Sequence, residues 1–188
     1  QVHNPATGKS LGQVRFLSPE QTQEKINAAQ PWGVASRERA TILRRTADLF
    51  EDHAEEFFAL LTQEAGKTLP DCIGELRETV DFLRYYACQS EVLSDAEAGV
   101  FTCISPWNFP LAIFTGQIAA ALAAGNAVLA KPAESTSMIA YFATELMHKA
   151  GVPAAALHLL AGDGPKLGAC LCSSDKVTGV CFTGSTKT

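Results

Sequence analysis

From Val100 onward the chain alternates short runs of β-branched and other apolar residues with Ala-rich stretches of helical length, each change marked by Gly, Pro or a small polar residue. Strands are predicted over residues 100–104, 127–131, 156–160 and 177–182, and helices over 111–124, 137–150 and 165–172, with a further helix opening at Ser185. Gly125 and Gly151 stand where the first two helices must end with φ > 0, and Pro153 blocks continuation after the second. Strands separated by one helix each are joined by crossovers, so they run parallel and the crossovers are right-handed. The expected class is α/β, a Rossmann-like parallel sheet.

Residues 1–99 read differently, as a charged N-terminal helical segment ahead of a β/α core at 100–188. Asn4-Pro5-Ala6-Thr7-Gly8 is a turn cluster, followed by a strand at 12–16 and a helix with Ser18 as N-cap and Pro19 at its first position. One helix is predicted over 36–63, where Leu43, Ala47, Phe50, Ala54, Phe57 and Leu61 alternate spacings of four and three. Gly66 ends it, and Leu69-Pro70 opens another with Ile73, Leu76, Val80, Leu83 and Ala87 on its apolar face. Arg39, Arg44, Arg45, Glu51, Asp52, Glu55, Glu56, Arg77 and Glu78 are expected on solvated faces.

A net charge of −5 and a pI near 5.4 provide no basic field for nucleic acid or anionic lipid, which leaves small molecules as the expected partners. The longest apolar stretch, 111–130, is interrupted by Gln117, Gly125 and Asn126 and makes a poor membrane span. Residues 1–10 do not have the form of a signal peptide. Six cysteines without C-x-x-C spacing and four scattered histidines suggest no metal site. The cysteines are expected to be reduced, small and buried, in keeping with a cytoplasmic protein.

In an open parallel sheet, ligands lie beyond the carboxyl ends of the strands, so the chemistry is expected in four loops. Thr183-Gly184-Ser185-Thr186 combines close backbone approach with a helix start, a phosphate site contributing about 0.3–1 kcal/mol; an ordinary N-cap is the alternative. Gly162-Asp163-Gly164-Pro165-Lys166-Leu167-Gly168 is glycine-rich, but it lacks the G-x-G-x-x-G spacing of a dinucleotide fingerprint. Lys131 and Glu134 present a cation and a carboxylate around Pro132. The carboxylate could accept from both ribose hydroxyls and would repel a 2′-phosphate, favouring NAD over NADP; a strand-end salt bridge is the alternative. In Ser105-Pro106-Trp107-Asn108-Phe109-Pro110 two prolines stiffen a turn carrying an amide suited to developing oxygen charge, the alternative being Trp107 and Phe109 packed into the core.

The run 103–110, with Ala123-Ala124-Gly125-Asn126, Lys131-Pro132-Ala133-Glu134, Ala150-Gly151-Val152-Pro153 and Phe182-Thr183-Gly184-Ser185-Thr186, resembles the aldehyde dehydrogenase superfamily in order and spacing. Residues 4–8 and Glu64-Ala65-Gly66-Lys67-Thr68 extend the likeness to essentially the whole chain. Residues 63–71 with 80–87 are similar to the pyrroline-5-carboxylate dehydrogenase module of bifunctional proline utilization proteins. That resemblance implies NAD-dependent oxidation of glutamate γ-semialdehyde to glutamate in proline catabolism. It implies a parent that is a homo-oligomer and is fused to a proline dehydrogenase domain.

Residue by residue, the resemblance implies that the Asn108 amide stabilises a thiohemiacetal oxyanion and that Ile104, Ser105, Pro106 and Trp107 line the nicotinamide half of NAD. Phe109 would flank the aldehyde. Lys131 and Glu134 would hold the adenosine ribose, Gly164 and Gly168 the turn beside the adenine, and Thr183, Gly184 and Ser185 the pyrophosphate. The family's nucleophilic cysteine and general-base glutamate lie downstream of the Thr-Gly-Ser-Thr loop, and none of the six cysteines matches the nucleophile's motif. The expectation is thus an incomplete domain: a cofactor-binding fragment inactive on its own, or else a stand-alone NAD-binding module.

Overall fold

The computed structural model describes residues 1–92 and 98–186. Its elements in chain order are β1 (Val2–His3), β2 (Ser10–Gly12), α1 (Pro19–Ala28), α2 (Ser36–Asp52), α3 (Ala54–Glu64), α4 (Leu69–Val92), β3 (Val100–Ile104), α5 (Ala112–Ala123), β4 (Ala127–Lys131), α6 (Ser137–Ala150), β5 (Leu157–Leu159), α7 (Gly164–Cys172) and β6 (Gly179–Phe182). A short 3₁₀ turn at Glu134–Thr136 leads into α6.

The four strands β3 to β6 form one parallel sheet in the order β5-β4-β3-β6. The chain steps outward from β3 to β4 and β5, then returns across β3 to place β6 on its other side. Strand order therefore reverses between β3 and β6, and a crevice is expected beyond their carboxyl ends. The register sets Ile104 beside both Lys131 and Phe182, so three strand ends finish level.

Alternation along the strands divides the core. Cys103, Val128 and Ala130 pack with α2, α3, α4, α5 and α6, whereas Val100, Ala127 and Leu129 pack with Ile26 of α1 and with Leu167 and Leu171 of α7. With both faces covered, all five residues of β4 are buried. Gly125 and Gly151, with φ of +87° and +122°, end α5 and α6 as their positions in the sequence require. Among the described residues, no helix is long and apolar enough to cross a membrane.

Several local expectations are corrected. The strand placed at 12–16 lies earlier, as β2 pairing antiparallel with β1, because Asn4 Oδ1 accepts from the N–H groups of Ala6 and Thr7 and closes a tight turn upstream. The helix placed at 36–63 is two, interrupted at His53 (φ −105°, ψ 27°). The apolar face runs through the break: the Phe50 and Phe57 rings lie 4.8 Å apart, and Phe57 lies 5.0 Å from Phe142 of α6. On α4, Ile73 is exposed and Cys72 takes the buried position.

Arg39 is not on a solvated face. It is buried, with Nε donating to Ala123 O at 3.1 Å and Nη1 donating to Val34 O, so it ties the end of α5 to the entry of α2. Arg44 does face solvent, paired with Glu91 at 3.0 Å. The third and fourth strands of the sheet are shorter than the predicted 156–160 and 177–182. Ser185 and Thr186 are not helical, and the rest of the helix predicted from Ser185 lies outside the described residues. All six cysteines are free, but Cys88 and Cys172 are exposed rather than buried.

Candidate cofactor and active site

Beyond β3 the backbone stays in the sheet for one more residue, Ser105 N donating to Lys131 O at 3.2 Å. Ile104 is half-buried, and Ser105 is buried with no hydrogen-bond partner for its Oγ among the described residues. A buried hydroxyl left without a partner costs free energy unless a ligand or water supplies one. Pro106 is half-buried, and Trp107, Asn108 and Phe109 then stand exposed, Trp107 at 62%. Both aromatic rings thus face outward, against the alternative of core packing.

The Asn108–Phe109 turn leads directly into α5, whose first N–H groups have no partners within the helix. Glu75 of α4 supplies one: its Oε1 accepts from Leu111 N at 2.9 Å and Ala112 N at 3.2 Å. Its other oxygen lies 2.6 Å from Lys67 Nζ, and that ammonium sits 4.1 Å from the centre of the Phe109 ring. Buried Glu75 and nearly buried Lys67 therefore anchor the turn from behind. Sequence reasoning missed Glu75. Its signal was its place on the buried face of α4, one residue before Leu76 and three after Cys72.

At the end of β4, Lys131 is buried and donates through Nζ to Pro132 O at 3.1 Å. Burial lowers its pKa from the usual lysine range, and the nearby carboxylates of Glu134 and Asp163 partly oppose the shift. Lys131 and Glu134 form no ion pair; Glu134 Oε1 instead accepts from Gly164 N at the start of α7. A Cβ added at Gly164 would stand 3.1 Å from Glu134 Oε1 and 3.8 Å from Lys131 Nζ, so the three residues converge on one point. Asp163 caps the same helix, accepting from Lys166 N at 3.1 Å. Gly164 and Gly168 are not in a turn: both belong to α7, and Gly168 has open space where a Cβ would project.

The intervening helix is capped from the N-terminal segment. Buried Glu64, the last residue of α3, accepts from Met138 N and Ile139 N, both at 2.8 Å, at the start of α6. Burial pushes its carboxyl up to about 7, against those two hydrogen bonds. Like Glu75, it was not identified as a site-supporting residue from sequence.

Beyond β6, Thr183 N donates to Ile104 O at 3.1 Å, and Gln117 Nε2 of α5 donates to Thr183 Oγ1 at 3.0 Å. Gly184 bends tightly over Phe182: a Cβ there would lie 2.8 Å from that ring. Ser185 and Thr186 are exposed. The loops after β3 and β6 thus flank the point where strand order reverses, with the Lys131–Glu134–Gly164 cluster one strand away. No group of three His, Cys, Asp or Glu side chains able to hold a metal ion occurs among the described residues.

Comparison with known proteins bears on this arrangement. Bifunctional protein PutA of Salmonella typhimurium is 53% identical over 196 aligned positions, which take in 99% of this chain and 15% of the relative. The mitochondrial succinate-semialdehyde dehydrogenase of Arabidopsis thaliana is 38% identical, the match covering 99% of this chain and 39% of the enzyme. Among solved structures, a bifunctional proline utilization A (PutA) protein superposes with a TM-score of 0.90 at 43% identity, covering 95% of this chain and 20% of that one. An aldehyde dehydrogenase from Brucella melitensis biovar abortus superposes with a TM-score of 0.93 at 33% identity, covering 99% of this chain and 43% of that one. The chain therefore spans a minor part of each relative's length. The profile of the aldehyde dehydrogenase family matches residues 1–188, taking in both the helical segment and the strand-end loops, and the chain belongs to that family.

Proposed function

We propose that these residues form the cofactor-holding part of an NAD-dependent aldehyde dehydrogenase that oxidises glutamate γ-semialdehyde, the open form of pyrroline-5-carboxylate, to glutamate. The observation that carries the cofactor reading is the convergence of Lys131, Glu134 and Gly164 at the end of β4, beside the crevice between β3 and β6. The residues present fit a dinucleotide: a buried amine, a carboxylate with one oxygen not engaged by Gly164, a glycine where a side chain would intrude, and the unpartnered Ser105 hydroxyl.

In this reading Glu134 accepts from the ribose hydroxyls and Lys131 donates to them. The turn at Thr183, Gly184 and Ser185 takes the pyrophosphate, and Gly164 and Gly168 border the adenine. Ile104, Ser105, Pro106 and Trp107 line the nicotinamide side, where the bound cofactor accepts a hydride. Asn108 donates its amide N–H to the aldehyde oxygen as charge develops there, and Phe109 screens the aldehyde from water. The reaction also needs a nucleophile and a base from the rest of the protein, so the 188 residues alone are expected to turn over nothing. Bifunctional PutA relatives at about half identity favour a parent joined to a proline dehydrogenase domain, and in this reading the parent is also a homo-oligomer.

Calorimetric titration of NAD and NADP tests the cofactor reading. Glu134→Ala should weaken NAD by about 1–3 kcal/mol, roughly 5- to 150-fold, and narrow the preference over NADP. Unchanged NAD affinity would sink the ribose assignment. For the substrate, the protein containing this chain should form NADH from glutamate γ-semialdehyde faster than from succinate semialdehyde. The reverse order would replace the assignment.

A further inference from the structure

Two cysteines that the site does not use are brought together by the strand register. Cys103 on β3 and Cys181 on β6 are direct partners across the parallel pair. Both face the core layer of α4 and α5: Cys103 is buried there, and Cys181 packs partly buried against it. Each thiol perturbs the other's titration, Cys181 downward and Cys103 upward. The remaining cysteines have other surroundings. Cys72 contacts Thr62, Cys88 lies by Arg44, and Cys170 packs on the opposite face of the sheet.

We propose that Cys103 and Cys181 form a peroxide-responsive dithiol that closes reversibly to a disulfide between β3 and β6. Neighbouring strands run about 4.7–4.9 Å apart, within the 4.4–6.8 Å between Cα atoms that a disulfide spans. The roles are unequal. Cys181 is the less buried thiol of the two, and the adjoining Cys103 thiol lowers its pKa to about 6 against the effect of burial. The adjoining Cys181 and burial both raise the Cys103 thiol, holding it protonated.

The Cys181 thiolate attacks one oxygen of a hydroperoxide, the O–O bond breaks, and the leaving oxygen departs as water or alcohol after taking a proton. Cys181 is then a sulfenic acid. Cys103 attacks that sulfur, its proton leaves with the hydroxide as water, and the S–S bond forms. Overall, two thiols are oxidised to one disulfide while the peroxide is reduced by two electrons. The bond would tie the two strands that flank the crevice, one residue before each ends. This inference does not depend on the identity of the cofactor or substrate.

The test is to treat the folded chain with hydrogen peroxide at pH 6, alkylate the remaining thiols, digest without reduction and identify linked peptides by mass spectrometry. Relative to an ordinary thiol of pKa ~8.5, Cys181 gains in thiolate fraction and loses some nucleophilicity, leaving it about tenfold faster. The expected product is a Cys103–Cys181 cross-link that forms before Cys88 and Cys172 are consumed and that dithiothreitol reverses. Cys103→Ser should arrest Cys181 as a sulfenic acid, trapped by dimedone. In the unsubstituted chain, oxidation of Cys88 and Cys172 ahead of Cys181, or of Cys181 without a link to Cys103, overturns the proposal.

Discussion

Replacing Glu75 with alanine should destabilise the chain by about 3–5 kcal/mol, the usual cost of breaking a buried ion pair from one side. The magnitude follows from what the carboxylate leaves behind. Leu111 and Ala112 are fully buried, so their N–H groups at the start of α5 lose their acceptor with no water to replace it, at about 1–3 kcal/mol each. Lys67 loses its counter-ion, but it retains 13% side-chain exposure and can turn toward solvent, which limits its share. Glu75→Gln keeps an oxygen facing both N–H groups and gives up only the charge, so it should cost about 1–2 kcal/mol. Lys67→Met should cost less than Glu75→Ala, because Glu75 would keep both backbone donors. Urea titrations at pH 7, followed by the fluorescence of buried Trp32, would measure all three. With domain stability generally about 5–15 kcal/mol, the alanine variant should lose a large part of its transition midpoint. A cost below about 0.5 kcal/mol for Glu75→Ala, the range of a surface substitution, would refute the anchoring role. A glutamine variant as damaged as the alanine one would locate the effect in the charge rather than in the helix cap.

Glu64 provides a pH-dependent test. Its folded-state carboxyl titrates near 7 rather than at the usual 4.5, so the folded state binds the proton more tightly. The associated stability is complete below pH 4.5 and lost as pH rises through 7, a change on the order of 3 kcal/mol. The difference in urea stability between the unsubstituted chain and Glu64→Gln, measured at pH 5 and pH 7.5, should show it; an equal difference at both pH values refutes it. Gly168→Ala, mid-helix in α7 with open space at the added methyl, should raise stability by about 0.5–1 kcal/mol in thermal unfolding, and a loss would mean that the helix does not tolerate the side chain.

The sheet was legible because its evidence is local. Short β-branched runs, Gly125, Gly151 and Pro153 bound each β/α unit within some 30 residues, and the crossover rule supplies the direction. The loops of the candidate site were legible for the same reason, since each follows a strand. The break at His53 was hidden because α2 and α3 bury one continuous apolar stripe. Glu64, Glu75 and Arg39 were hidden for a different reason. A charged residue in a helix is by default solvated, and only partners 75, 36 and 84 positions away show otherwise. Pairing across such separations leaves no periodic trace. The proximity of Cys103 and Cys181 likewise required β6 to return beside β3, which four strands in sequence do not reveal.

A parallel sheet lines up the starts of its helices along one rim, and those starts, being positively polarised, are where phosphates usually settle. Here every described helix start on that rim is already stoppered by a carboxyl group: α5 by Glu75, α6 by Glu64, and α7 by both Glu134 and Asp163. The rim is largely blind to anions by construction. The turn at 183–186 carries no acidic side chain of its own, which sets it apart from the loops after β4 and β5. Under the proposed cofactor reading, a diphosphate entering this crevice would be guided less by an attractive pocket than by closed doors elsewhere, and an extra phosphate on a ribose held by Glu134 would meet one of them.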